Sequence, residues 1–290
     1  MAAPAGWLWQ TARGAVAIDR PRIMGIVNIT PDSFWEGGRN PHSGPAVAHA
    51  EQLLDEGADI LDFGGESTRP GAAAVSAAEE ADRVVPVIRT VARRWPDVPL
   101  SVDTVKADVA EAALDAGAWI INDVSALRLD ARMAELASAR RAGLVLMHSR
   151  GPVDRMAQYD MATYGDDPVG EIVAELGTSV AKAKAAAVAD EAIVLDPGLG
   201  FAKRTEHSVR ALRELPRLVA LGYPVLVGPS RKRFVGEAGE DAVLPPDDRL
   251  EGTIGACVAA LFLGATLFRV HDVRAVRRAL TVAHAIRIAS

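Results

Sequence analysis

Asp103, Asp196, Lys232 and Arg269 lie far apart in this 290-residue chain, yet each closes or follows a short apolar run: "LSVD", "AIVLD", "VLVGPSRK" and "TLFR". The same placement recurs at Asn28 after "IMGIV", Asp62 and Glu66 in "DILDFGGE", Asn122 and Asp123 after "WII", His148 after "GLVLM", and His271 two residues beyond Arg269. Taken alone, any of these is a cap or a turn former; Asp196 in "LDPG" is the plainest case. A ring of acids, amides and bases on eight successive runs is more than turn chemistry. Carboxylates and an amide suit the N–H donors of a nitrogen-rich heterocycle. Guanidinium groups suit a phosphorylated one, which they grip with two parallel bonds.

Basic and hydroxyl donors fall in three clusters. "GGESTRP" (64–70) offers Ser67, Thr68 and Arg69 on a glycine-loosened loop; "SRKRF" (230–234) carries Ser230, Arg231 and Lys232. In "FRVHD" (268–272) strand alternation points Arg269 and His271 to one side. A positive crescent facing an interior with Asp103 and Asp196 fits a phosphorylated leaving group attached to a heterocycle. No His/Cys cluster supports zinc.

The elements that must hold this ring are short apolar runs at 23–30, 58–65, 100–104, 119–125, 143–149, 192–198, 224–230 and 266–272, read as strands. Between them lie Ala-, Glu-, Arg- and Leu-rich stretches with helical spacing, several ending on Gly57, Gly117, Gly222 or Gly264, where a left-handed cap serves. Eight strand–helix repeats predict a (β/α)8 TIM barrel, whose active residues stand at the C-terminal strand ends. An open dinucleotide-binding sheet would carry a glycine fingerprint after its first strand, and "NITPDSFWEGG" is not one. Residues 1–290 read as one domain, with 1–20 expected as an N-terminal hairpin or plug.

Composition agrees: 49% of residues are hydrophobic, 24% charged and 5% aromatic. The formal charge of −6, from 32 basic against 38 acidic residues, argues against a general nucleic-acid surface. Cys257 is the single cysteine and reads as a small core residue. With no signal-like start and no run long enough for a membrane span, a cytoplasmic protein is expected.

The motifs "MGIVNITPDSF", "GADILDFGGESTRPGA", "SVDT", "IINDVS", "LMHSRG", "LDPGLGF", "VLVGPSRKRF" and "RVHDV" follow one another in the order of the dihydropteroate synthase family. The chain resembles that family from about Ile23 to its last helix. The resemblance implies transfer of a pterinylmethyl group from dihydropterin diphosphate to p-aminobenzoate, with Mg2+, in folate biosynthesis. It implies a homodimer with small-molecule substrates and a sulfonamide target. It assigns the pterin pocket to Asp103, Asn122, Met147, Asp196, Phe201, Gly228 and Lys232. Pyrophosphate falls to Asn28, Thr68, Arg69, Arg269 and His271, and p-aminobenzoate to Phe34, Thr68, Pro70, Ser230 and Arg231. Asn28 and Asp32 would hold the metal; Asp103, Lys232, Arg269 and His271 would carry the chemistry. Two other readings stay open on sequence: an inactive or weak pterin-binding paralogue, and a corrinoid-dependent pterin methyltransferase module.

Other polar residues have plainer readings. His148 reads as a satisfied interior histidine, and Asp62 and Glu66 as partners of Arg69 or its loop. "EHS" (206–208) reads as a helix start, and Arg233 and the arginines of 274–279 as solvated helix charges. The chain departs from the family at Trp35 and Glu36, at Ser149 where Met is common, and at Ala126 and Ala202 where Gly is usual. Pro229 ahead of the "SRK" triplet is a further departure.

Overall fold

The computed structural model describes residues 6–30, 43–67, 74–238 and 243–289. Among them, an antiparallel hairpin, β1 (Trp7–Thr11) and β2 (Gly14–Ile18), precedes eight parallel strands. These are β3 (Arg22–Asn28), β4 (Ile60–Gly64), β5 (Leu100–Asp103), β6 (Ile120–Asp123), β7 (Gly143–Met147), β8 (Ile193–Asp196), β9 (Leu226–Val227) and β10 (Leu267–Val270). Neighbours pair in the order β8-β7-β6-β5-β4-β3-β10-β9, and a parallel bridge from Leu195 to Val225 closes the ring. The (β/α)8 barrel expected from the repeats is therefore present.

The strands are shorter than the apolar runs because turn residues end them early. Pro197 and Gly198 stop β8 at Asp196, and Gly228-Pro229 leaves β9 only two residues. Helices follow the strands: α1 (Ser43–Asp55), α2 (Ala77–Arg94), α3 (Ala107–Ala116), α4 (Met133–Ala139), α5 (Pro168–Ala185), α6 (Thr205–Arg213), α7 (Pro216–Val219), α8 (Arg233–Glu237), α9 (Leu250–Phe262) and α10 (Val273–Ile288). Local chemistry sets their ends. Ser76 caps α2 by accepting from Glu79 N–H, and Asp167 caps α5 ahead of Pro168. "EHS" does open a helix: His207 Nδ1 accepts from Arg204 N–H at 3.3 Å at the start of α6. At Gly117, φ is +123° and a Cβ would lie 2.5 Å from that of Ala92, so glycine both turns the chain and lets α3 approach α2.

Packing separates two apolar regions. The larger lies between the sheet's outer face and the helices, and Cys257 is fully buried in it. The smaller fills the barrel floor, where Met24, Ile60, Ile120, Val145, Val194, Leu226 and Leu267 meet Trp9, Val16 and Ile18 of the hairpin. Trp9 is fully buried and donates its indole N–H to Ala192 O at 2.8 Å. Gly143 makes room for it, since a Cβ there would meet Trp9 and Thr11 at 3.2 and 3.1 Å.

Side chains alternate along a strand, so the next inward position is two residues on, about 6.6 Å higher. Those positions are Ile26, Asp62, Asn122, Met147, Asp196, Gly228 and Arg269, with Asp103 paired to Asn122 in register. One step up the barrel, four of these seven strands exchange an aliphatic residue for a polar or charged one. The hairpin seals the end that carries no chemistry.

Truncating Trp9 removes the centre of that floor. Trp9→Ala is expected to lose ~3–5 kcal/mol of stability, measured by chemical denaturation, while Trp9→Phe loses less because only the indole bond and part of the ring go.

Candidate functional site

At the upper layer, Arg269 of β10 reaches across the barrel mouth. Its Nε donates to Asp62 Oδ2 at 2.6 Å and its Nη2 to Asp103 Oδ2 at 2.7 Å. Asn122 Nδ2 donates to the same Asp62 oxygen at 3.1 Å, so four strands meet on one ionic cluster. Asp62 is fully buried, and its Oδ1 has no hydrogen-bond partner among the described residues. The expectation that Asp62 serves the loop of Arg69 is corrected: it anchors Arg269 and Asn122. The crescent picture changes likewise. Arg269 sits between the acids because two buried carboxylates need a cation beside them.

Burial pushes the Asp103 carboxyl up to about 7; Arg269 pulls it down, and the nearby acids Asp62, Glu80 and Asp123 add to the rise. Burial likewise raises Asp196, opposed by Lys232, by the Gly198 N–H, by Lys203 and by Arg269. Its Oδ1 accepts from Gly198 N–H at 2.7 Å, the turn bond read from "LDPG", yet the group also faces the cations. Lys232 is brought down to about 8 by burial, against the pull of Asp196 and Asp103. Its ammonium donates to Leu199 O at 2.5 Å and lies 4.3 Å from the Phe201 ring centroid.

Two glycines keep the mouth open. A Cβ on Gly64 would stand 3.8 Å from Asn28 Oδ1 and 3.9 Å from Asp103 Oδ2. On Gly228 it would stand 3.7 Å from Arg269 Cβ and 3.9 Å from Lys232 Nζ. Asn28, Asp103, Asn122, Asp196, Gly228, Lys232 and Arg269 thus share one region. Met147 and Phe201 form an apolar side with Val105, Val124, Val153 and Met156.

Nearer the rim, Ser230 Oγ lies 3.0 Å from His271 Nδ1 and accepts from His271 N–H at 3.2 Å. Arg231 joins a different group: its guanidinium pairs with Asp272 at 2.6 Å and Asp247 at 3.3 Å, and its carbonyl accepts from Arg249. Asp32, Phe34, Thr68, Arg69 and Pro70, together with Trp35 and Glu36, lie outside the described residues. Glu66 does hold its loop, accepting from Val75 N–H and from Lys106 Nζ, both at 2.9 Å. Lys106 also binds the buried Glu80 at 2.5 Å, and Arg83 donates to Gly65 O at 2.7 Å.

Sequence reasoning passed over Lys106 and Lys203. Lysine is by default a surface residue, and nothing in "GFAK" marks Lys203 as only 1% exposed. His148 is interior, as read, but bonded on both ring nitrogens, to Lys203 and Glu175. Ser149, the departure next to it, is buried and donates to Val124 O at 2.6 Å. Ala126 and Ala202 take φ of +51° and +47°, the left-handed region where a Cβ costs roughly 1–2 kcal/mol, so the family's glycines there are missed by the backbone. Arg233 pairs with Glu237 on the surface of α8.

A metal would find hard oxygen donors at Asn28 Oδ1; no cluster of three or more His, Cys, Asp or Glu that could hold an ion occurs among the described residues. No described helix is long and apolar enough to cross a membrane.

Comparison with known proteins matches this geometry to a family. The model of the pterin binding enzymes matches residues 24–271. Dihydropteroate synthase of Neisseria meningitidis serogroup C is 45% identical over 286 residues, covering 97% of this chain and 98% of its own. Among solved structures, dihydropteroate synthase of Xanthomonas albilineans with 4-aminobenzoic acid superposes with a TM-score of 0.87 at 43% identity, covering 100% of both chains. The same enzyme in complex with 7,8-dihydropteroate gives a TM-score of 0.83 at 42% identity, over 95% of this chain and 97% of the other. This chain belongs to the pterin-binding enzyme family and, within it, to the dihydropteroate synthases.

Proposed function

We propose that the chain joins (7,8-dihydropterin-6-yl)methyl diphosphate to p-aminobenzoate, giving 7,8-dihydropteroate and pyrophosphate. The observation that carries this reading is the meeting of Asp103, Asn122, Asp196, Lys232 and Arg269 at one barrel mouth. The relatives bound to 4-aminobenzoic acid and to 7,8-dihydropteroate support the choice of substrates.

In this reading the heterocycle enters mouth-down. Asp103, Asn122 and Asp196 take its N–H edge, Lys232 its acceptor edge, and Phe201, Met147 and Gly228 its faces. The diphosphate points outward to Arg269 and His271, with Ser230 holding the His271 ring. The C–O bond between the methylene and the diphosphate breaks with both electrons leaving on oxygen. The neutral arylamine nitrogen forms the new C–N bond and then loses its extra proton. Positive charge spreads from the methylene into the ring as the bond stretches, and an ionised Asp103 stabilises it. Arg269, released from Asp103 as the substrate arrives, answers the charge growing on the diphosphate. Asn28 supplies an oxygen of the kind Mg2+ prefers, flanking a glycine that leaves space beside it, with Asp32 a second ligand. Bound there, Mg2+ would neutralise charge on the departing diphosphate.

The working unit we propose is a cytoplasmic homodimer. Val282 and Ile286, four residues apart on one side of α10, expose 61% and 64% of their surface, an apolar strip on a helix that packs against α9. A second copy is the occupant that covers it most economically. Light scattering should give twice the 30.6 kDa chain mass, and Val282→Glu with Ile286→Glu should return it to one chain.

The activity test is direct. With Mg2+ and the pterin diphosphate, the purified protein should release pyrophosphate and form dihydropteroate only when p-aminobenzoate is present. Pterin binding with neither product would instead support a non-catalytic paralogue. Asp103→Asn should lower kcat by ~100-fold or more, since the stabilising charge is lost while the shape remains. Cys257→Ala should leave both constants unchanged, the thiol being buried and pushed up to about 12 by that burial.

Acidity sets a pH window. N–H recognition requires Asp103 ionised, so kcat/KM for the pterin diphosphate should rise as pH passes about 7. It should fall again above about 8, as Lys232 loses its proton. A flat profile across that range would contradict the assignment of both groups.

A further inference from the structure

Among the described residues Lys203 is the only fully buried lysine; no described carboxylate bonds it directly, and burial holds its amine well below the usual lysine range. Its Nζ lies 2.8 Å from His148 Nδ1, 3.0 Å from Phe201 O and 3.5 Å from His148 O. All three neighbours are acceptors for its N–H groups. The ring must then offer a lone pair at Nδ1 and carry its proton at Nε2, which lies 3.0 Å from Glu175 Oε2. Burial and the neighbouring Lys203 bring His148 down to about 4 despite Glu175, so the ring is a neutral bridge. Glu175, on α5 and 44% exposed, is itself clamped by Arg150. Glu175 thus reaches Lys203 through a histidine.

The three residues tie two rim segments together. His148 follows β7, whereas Phe201 and Lys203 follow β8. The segments already touch: a Cβ on Gly198 would fall 1.9 Å from His148 O, and His148 N–H donates to Asp196 O at 2.9 Å. Ala202 N–H donates to Met156 O at 2.5 Å, alongside the apolar cluster of Phe201. A link that only filled space would need no hydrogen-bonding head, because a Met side chain has similar reach without the desolvation of an amine. The charge is also felt at Asp196, where Lys203 acts with Lys232 and Arg269 in favour of the carboxylate.

We propose that Lys203, oriented by His148 and Glu175, is a positioning residue for the dihydropterin: it fixes the Phe201 wall and, in its protonated form, adds to the positive field at Asp196. This rests on the functional reading above, in which Phe201 and Asp196 contact the pterin. The effect is expected on the pterin diphosphate, since Lys203 bonds the carbonyl of Phe201, a wall of the pterin pocket in that reading.

Lys203→Met and, separately, Glu175→Gln test it by steady-state kinetics with each substrate varied in turn, alongside calorimetric titration with the pterin diphosphate. Lys203→Met should raise the pterin KM and Kd about tenfold, the scale of one buried charge-assisted bond, with kcat and the p-aminobenzoate KM within about twofold. Glu175→Gln should move the pterin constants the same way by about threefold, since the half-exposed carboxylate acts at one remove. Unchanged pterin constants in Lys203→Met would overturn the proposal. So would a parallel loss for both substrates together with kcat, which marks a merely structural lysine. If Lys203→Met does not fold, Glu175→Gln decides alone, and wild-type pterin constants in it reject the relay. Wild-type protein that binds no pterin diphosphate would instead refute the functional reading and the proposal with it.

Discussion

A guanidinium held between two carboxylates governs the mouth of this barrel. Asp62 and Asp103 come from neighbouring strands and are too buried to carry charge side by side without a cation. Arg269 provides it with bonds of 2.6 and 2.7 Å. Removing one member of such a group leaves an uncompensated buried charge, which costs ~3–5 kcal/mol. The pairing also leaves each partner something to exchange. Arg269 can trade Asp103 for an anion, and Asp103 can trade Arg269 for N–H donors. Asp62 stays behind as the anchor, its remaining oxygen unpartnered by any described residue. A site that binds an anion and a developing cation in one molecule needs this kind of shared, divisible pairing.

The rest of the fold serves to hold that group at one height. Parallel strands buried on both faces would ordinarily be aliphatic throughout. Here the inward positions change from Ile60, Ile120 and Val194 to Asp62, Asn122 and Asp196 in a single two-residue step. The aliphatic layer, closed beneath by Trp9, gives the ionic layer a dry and rigid floor. That dryness is why Asp103 and Lys232 both move toward neutrality by burial. Around the rim, a second set of buried ions fixes the loops: Lys106 between Glu66 and Glu80, and Lys203 against His148. Among the described residues, the groups built on Arg269, Lys106 and Lys203 each span two or more strand ends and tie them together.

Much of this was legible in the sequence because period-two alternation and strand-end placement are local signals. The eight strands, the helix start at "EHS" and the buried Cys257 follow from such patterns. Partners are not local. Asp62 bonds Arg269, 207 residues away, a partner that no local pattern could name. Lys203 was missed for the converse reason: an isolated lysine in a loop carries no periodicity, and only the contact with His148 reveals its burial. Arg231 shows a third limit. Its place in "SRK" suggests the substrate rim, but a left-handed backbone, with φ of +56°, sets its side chain against Asp272 and Asp247.

The most direct test is a crystal structure of the protein with the pterin diphosphate bound in the absence of p-aminobenzoate. The account requires the heterocycle within hydrogen-bond distance of Asp103, Asn122, Asp196 and Lys232, with Arg269 turned from Asp103 to the diphosphate while keeping its bond to Asp62. A heterocycle lodged elsewhere, or an Arg269 still paired with Asp103 beside a bound diphosphate, would contradict it.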